Sequence, residues 1–207
     1  MRKINKTDSA PASLMVFKKH HSLAQWDEIH KPENREVYGD CLHACMVDQE
    51  MLCGYTEIFL KPRITHIDHY VKRDIDPGQT FSWDNMIAAV KDSRYGADWK
   101  DAKITKKDYN RTTKRYTSIL NPITDSINGR FVYSTDGTIE PVDPYDVMAG
   151  KTIEVFNLNE ESLKSQRKGT MLSARLMVDG GIPKDKVRAL LKESGFLSAV
   201  DYELSKK

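Results

Sequence analysis

Residues 65–73 read THIDHYVKR, two histidines flanking an aspartate with a lysine–arginine pair close behind. A strand normally spends alternate positions on apolar side chains, yet this one offers only Ile67, Tyr70 and Val71. It reads either as a polar edge strand with solvated histidines or as the place where chemistry is done. Phosphodiester hydrolysis needs a base for water, a cation to neutralise the phosphate, and a scaffold that holds both. Histidine suits the first role because it titrates near neutral pH, and aspartate offers the hard oxygen that Mg²⁺ prefers. Asp68–His69 puts both on adjacent residues. Regular alternation would set His66 and Asp68 on one face and His69 on the other. A shared site therefore requires the chain to leave extended geometry near Lys72, where a loop begins.

Outward from this stretch, EIFLK (57–61) and ITHIDHYV (64–71) flank Pro62–Arg63 and read as a hairpin. DNMIAAVKD (84–92) reads as helical in its second half. A short N-terminal strand is expected before the loop TDSAPAS (7–13). A helix then starts at Pro32 and carries Val37, Cys41, Cys45 and Met46 on one stripe. GRFVYSTDGTIEPV (129–142) alternates Phe131 with Tyr133 before Asp136–Gly137, a hairpin signal. Asn159 is expected to cap a helix ending near Gly180–Gly181, and a last helix to run from Pro183 to Gly195. The class is α+β, a small β-rich middle between helical ends.

With 207 residues the chain is long enough for one domain with a real core. A hydrophobic content of 39%, a charged content of 30% and a net charge of +2 do not identify an anionic partner. The longest apolar run, MIAAV at 86–90, is far short of the ~20 residues of a membrane helix. No apolar region follows the basic N-terminus, so no signal peptide is expected. Cys41, Cys45 and Cys53, an odd number, fit a reduced chain, and the cytoplasm is the expected compartment. AGKT (149–152) is not a P-loop, because Tyr145 stands where that motif needs a glycine.

HIDH with Asp84–Asn85 downstream resembles the His-Asn-His motif of ββα-metal endonucleases. The ordered set QEMLCGYTE (49–57), THIDHYVKR, FSWDNMIAA (81–89), GADWK (96–100), ILNP (119–122), GRFVYSTDGTI (129–139) and KTIEVFNLNEESLKSQRK (151–168) is similar to the PtuB-type HNH nucleases of anti-phage defence. That family occurs in Septu systems and in some retrons. The resemblance implies a ββα-metal core at 51–101 within a single domain, 1–207. A mostly helical part (1–50) precedes the core, and a basic segment with a hairpin (102–150) and a helical part (151–207) follow it. It makes His69 the general base, Asp68 a ligand of one Mg²⁺ or Mn²⁺, and Asn85 the amide that pins the loop carrying the base. His66 matches a histidine common at this place. The further ligand is expected beyond Asn85, at Asp92, with Asp98 in reserve. Thr56 stands where relatives carry a second cysteine, so no structural zinc is expected. The implied partners are a PtuA-type ABC ATPase and, in retron-associated members, a reverse transcriptase with its RNA–DNA hybrid.

WKDAKITKKDYNRTTKRY (99–116) holds seven Lys or Arg against two Asp, interleaved with Trp99, Tyr109 and Tyr116. Beside a nuclease site it reads as a nucleic-acid contact through Lys100, Lys103, Lys106, Lys107, Arg111, Lys114 and Arg115, with Lys72 and Arg73 adjoining. The alternative function is a binding or scaffold subunit of the same kind of complex that keeps the fold and cleaves nothing.

Overall fold

The strand β1 (Thr65–His69) pairs antiparallel with β2 (Met86–Val90), placing His69 opposite Met86, Asp68 opposite Ile87 and Thr65 opposite Val90. The computed structural model describes residues 1–7, 9–21 and 25–206. Asp8, in the expected loop 7–13, lies outside them. The helical reading of 84–92 is corrected: MIAAV is buried at every position and extended. A short run that is apolar throughout has neither period, so sequence alone does not separate strand from buried helix. The hairpin expected between 57–61 and β1 does not form. Glu57 adopts φ 63°, which ends extended geometry there, and the segment makes only an isolated bridge between Leu52 and Phe59.

Two helices flank the strand pair. α2 (Arg35–Asp48) packs against both strands and α3 (Gly96–Lys103) against β2. Ahead of them comes α1 (Ala12–His20), a helix the sequence reading did not anticipate, while residues 1–7 form no strand. The free edge of β2 is closed by side chains and by Gly54 N, which donates to Ala88 O at 3.1 Å. Gln49 accepts from Ala88 N at 2.8 Å and donates to Ala88 O at 2.7 Å, and Cys53 Sγ accepts from Val90 N at 3.5 Å. Gly54 lies so close that a Cβ there would sit 2.4 Å from Ile87 Cγ2, so a side chain at this position forces Ile87 to shift.

β3 (Tyr109–Asn110) and β4 (Arg115–Tyr116) make a small ribbon within the basic segment. β5 (Phe131–Tyr133) and β6 (Ile139–Pro141) form the hairpin expected around Asp136–Gly137. Then follow α4 (Val147–Val155), α5 (Glu161–Asp179), α6 (Lys184–Leu190) and α7 (Leu197–Ser205). Glu160, not Asn159, caps α5; the Asn159 amide instead bonds the backbone of Ile139 in both directions. α7 is tied back toward the strand pair, since Phe196 N donates to Glu57 O and Ser198 N to the Glu57 carboxylate. No helix among the described residues is long and apolar enough to cross a membrane.

Candidate active site

Extended geometry runs through both Asp68 and His69 and stops directly after them, ahead of the loop expected near Lys72. After His69, Tyr70 N donates to Asn85 O at 2.9 Å and the chain bends away from the strand. The bend is held by the Asn85 side chain, only 3% exposed. Its Oδ1 accepts from Val71 N at 2.7 Å, and its Nδ2 donates to Val71 O at 3.0 Å and Gln79 O at 3.2 Å.

His69 Nε2 lies 2.8 Å from Thr80 O. A carbonyl only accepts, so the tautomer assigned from this contact carries its proton on Nε2, and the lone pair of the neutral ring is on Nδ1. Burial lowers the His69 pKa to about 4, with the Asp68 charge opposing. Trp26 meets the ring edge-on, centroids 4.4 Å apart.

Asp68 Oδ2 accepts from the Tyr55 hydroxyl at 2.5 Å and from Lys100 Nζ at 2.7 Å. Burial, reinforced by the Asp68 charge, pushes the Tyr55 hydroxyl well above its usual range, so it stays protonated and donates. Lys100 is fully enclosed and also donates to His69 O at 2.7 Å and Tyr70 O at 3.3 Å. One ammonium thus ties α3 to the carboxylate and to the backbone that carries the imidazole. Around these groups opens a concavity of about 400 Å³, whose lining includes Trp26, His66, Asp68, His69, Arg73 and Asp98.

The structure brings together His66, Asp68, His69, Lys72, Arg73 and Asp98, and does not bring Asp92 to them. Asp92 stands five residues beyond Ile87, the partner of Asp68, on the order of 15 Å away at the rise of a strand. Its carboxylate is held by Arg94 at 2.8 Å. Lys100 is likewise corrected, since an enclosed ammonium reaches no phosphate. Arg115 is engaged in two bonds to Asp125, at 2.7 and 2.8 Å, and Tyr116 is fully buried, so neither offers the surface expected of it. Lys103, Lys106, Lys107, Arg111 and Lys114 are exposed. Their ribbon is tied to the loop ahead of Thr80, because Gln79 Nε2 donates to Tyr109 Oη and to Lys114 O.

Tyr55, Thr80 and Trp26 were missed by sequence reasoning, and Lys100 was misassigned. A signal existed for Lys100: Ala97, Lys100 and Ile104 recur at helical spacing, and all three are buried. The three cysteines are buried too, and burial raises the Cys41 thiol to about 12.

Among the described residues no group of three or more His, Cys, Asp or Glu is set to hold a metal. His66 Nδ1, however, is buried and makes no hydrogen bond among them, and it shares the concavity with Asp68 and Asp98. Mg²⁺ commonly takes one or two protein ligands and completes its shell with water and substrate phosphate. The residues present fit that mode and not an all-protein cage. No family model matches the chain, and no curated protein matches it in sequence.

Proposed function

We propose that this chain is a metal-dependent endonuclease of the HNH type that hydrolyses phosphodiester bonds of nucleic acid. Its strand–strand–helix unit β1, β2 and α3 is then the ββα-metal core. The observation that carries the reading is a neutral imidazole, its Nε2 turned to Thr80 O, beside a carboxylate in an open polar concavity. In this reading His69 Nδ1 takes the proton of the attacking water. Thr80 holds the ring, Asn85 holds the bend behind it, and Tyr55 with Lys100 keeps Asp68 in place. Asp68, with His66 or Asp98, would hold one Mg²⁺ or Mn²⁺, which when bound supplies charge neutralisation at the phosphate. The exposed lysines of the basic ribbon, with Lys72 and Arg73, seat the strand.

The resemblance to PtuB-type nucleases adds a role as the toxic arm of a cytoplasmic anti-phage complex with a PtuA-type ATPase, and in retrons with a reverse transcriptase. Exposed Leu172 and Leu176 on α5 and Leu190 on α6 suit a docking face for such a partner. The second reading, a non-catalytic subunit, is favoured by one observation: Lys100 already neutralises Asp68. The test is cleavage of single-stranded DNA, duplex DNA and tRNA in Mg²⁺ or Mn²⁺, with and without the ATPase. His69→Ala is expected to lower the rate by on the order of 10²–10⁴ while the protein stays folded. Cleavage at the wild-type rate by that variant would remove His69 as the base.

A further inference from the structure

A second concavity, about 420 Å³, shares no lining residue with the first and is used by none of the chemistry above. Its lining includes Lys18, His21, Pro77, Phe81, Ser82 and Trp83. Trp26, which lines the first space, has its ring centroid 5.8 Å from Phe81 of the second and 4.4 Å from His69. Phe81 directly follows Thr80, the residue that orients the imidazole. The turn that aims His69 therefore also builds a wall of the neighbouring recess.

That wall is aromatic and firmly backed. Phe17 packs behind Phe81 at 5.3 Å and stacks on His21 at 4.6 Å with 20° between the rings. Trp83 is anchored by Lys6 over its ring at 3.2 Å and by its indole N–H to Thr7 O at 3.3 Å. Around these rings stand the exposed Lys18 and the half-buried Ser82, and toward His69 the cations Lys72 and Arg73. Aromatic rings in an otherwise polar recess, a hydroxyl and flanking cations match a planar heterocycle on an anionic chain.

We propose that this recess receives the base of an unpaired nucleotide whose neighbouring phosphate lies at His69, so that the site takes single-stranded nucleic acid. The part concerning the phosphate rests on the nuclease reading. Base–aromatic stacking tolerates any sequence because every base has a π-face. A base stacked and paired within a duplex reaches such a recess only by being flipped out. The shared chemistry is an unpaired nucleotide, of DNA or of RNA, and the experiment separates the two.

The probes are short fluorescein-labelled oligonucleotides: single-stranded DNA, single-stranded RNA, the corresponding duplexes, and single strands carrying one abasic nucleotide. Binding is read by fluorescence anisotropy on the full chain, and cleavage of the same probes in Mg²⁺. Single strands of at least one sugar type are expected to bind on the order of tenfold tighter than duplex. Phe81→Ala is expected to weaken single-strand binding by on the order of tenfold, the scale of one lost base stack. The abasic change adjoining the cut should cost wild type about as much and Phe81→Ala little more. His21→Ala, at an exposed position, guards against misfolding and should weaken single strands but not duplex. Equal affinity for duplex and single strands, or both variants binding single strands like wild type, would overturn the proposal. Single strands held through Phe81 but never cut would sink the nuclease reading and leave this one standing. His69-dependent cutting of duplex, untouched by Phe81→Ala, would do the reverse.

Discussion

The ammonium of Lys100 and the carboxylate of Asp68 are 2.7 Å apart, with the two side chains 0% and 8% exposed. Removing one member of such a pair leaves an uncompensated buried charge, which typically costs about 3–5 kcal/mol. Lys100→Met keeps the aliphatic stem and loses the charge, so it is expected to destabilise the chain on that scale. Adding Asp68→Asn should recover part of the loss. Denaturant unfolding of both variants measures this, and a Lys100→Met protein as stable as wild type would show the pair to be dispensable.

His69 gives the folded chain a pH dependence. Burial takes its pKa from 6.5 to about 4, so between those values the unfolded chain binds the proton more. The stability held by the neutral ring is complete above pH 6.5, falls through that window, and is gone below about pH 4. Its size is about 3 kcal/mol, at ~1.4 kcal/mol per unit. His69→Gln is expected to flatten this part of the stability profile. Thermal unfolding at pH 7, 5.5 and 4.5 compares the slopes.

Asn85 uses both ends of its amide on the bend. Asn85→Ala strands Val71 N and relieves two carbonyls of their donor, an expected loss of at least ~2 kcal/mol given ~1–3 kcal/mol per buried unsatisfied group. Asn85→Asp keeps the acceptor for Val71 N but sets an anion against Val71 O and Gln79 O, and is expected to be no better than alanine. Hydrogen exchange at the Val71 amide should quicken in Asn85→Ala more than at Ala88 in β2.

Asp92 and Asp98 part company. On the nuclease reading, Asp92→Asn is expected to leave cleavage within about twofold of wild type and to cost less than ~1 kcal/mol, the range of a surface ion pair. Asp98→Asn should raise the Mg²⁺ needed for half-maximal cleavage by on the order of tenfold or more, the scale on which changes around a metal site act. The opposite ordering would return Asp92 to the site.

How much of this could be read in advance follows from which interactions are local. Asp68, His69 and Asn85 stood out because their types and spacing carry chemistry, and Asp136–Gly137 marked its hairpin through local turn preferences. β2 was misread because five consecutive apolar residues suit a buried strand or a buried helix equally. Asp92 looked suitable only by its distance in sequence, which says nothing of a strand carrying it to the far end. Tyr55 and Thr80 were illegible for a deeper reason. One reaches Asp68 from a segment that belongs to no strand or helix, and the other acts through its carbonyl, a group every residue has.

Glu57 receives Ser198 N across 141 residues of sequence, and its own carbonyl receives Phe196 N. On a ribosome adding about 5–20 residues per second, that spacing delays the closing bonds by on the order of ten seconds after Glu57 emerges. Until then Glu57, in its left-handed turn two residues from Tyr55, is held by the Met1 amino group, 2.9 Å from its carboxylate, and lacks the bonds from Phe196 and Ser198. Nascent chains carry His69 long before they carry the helix that finishes this turn. The turn beside Tyr55 is thus completed only once residues 196–198 have been added.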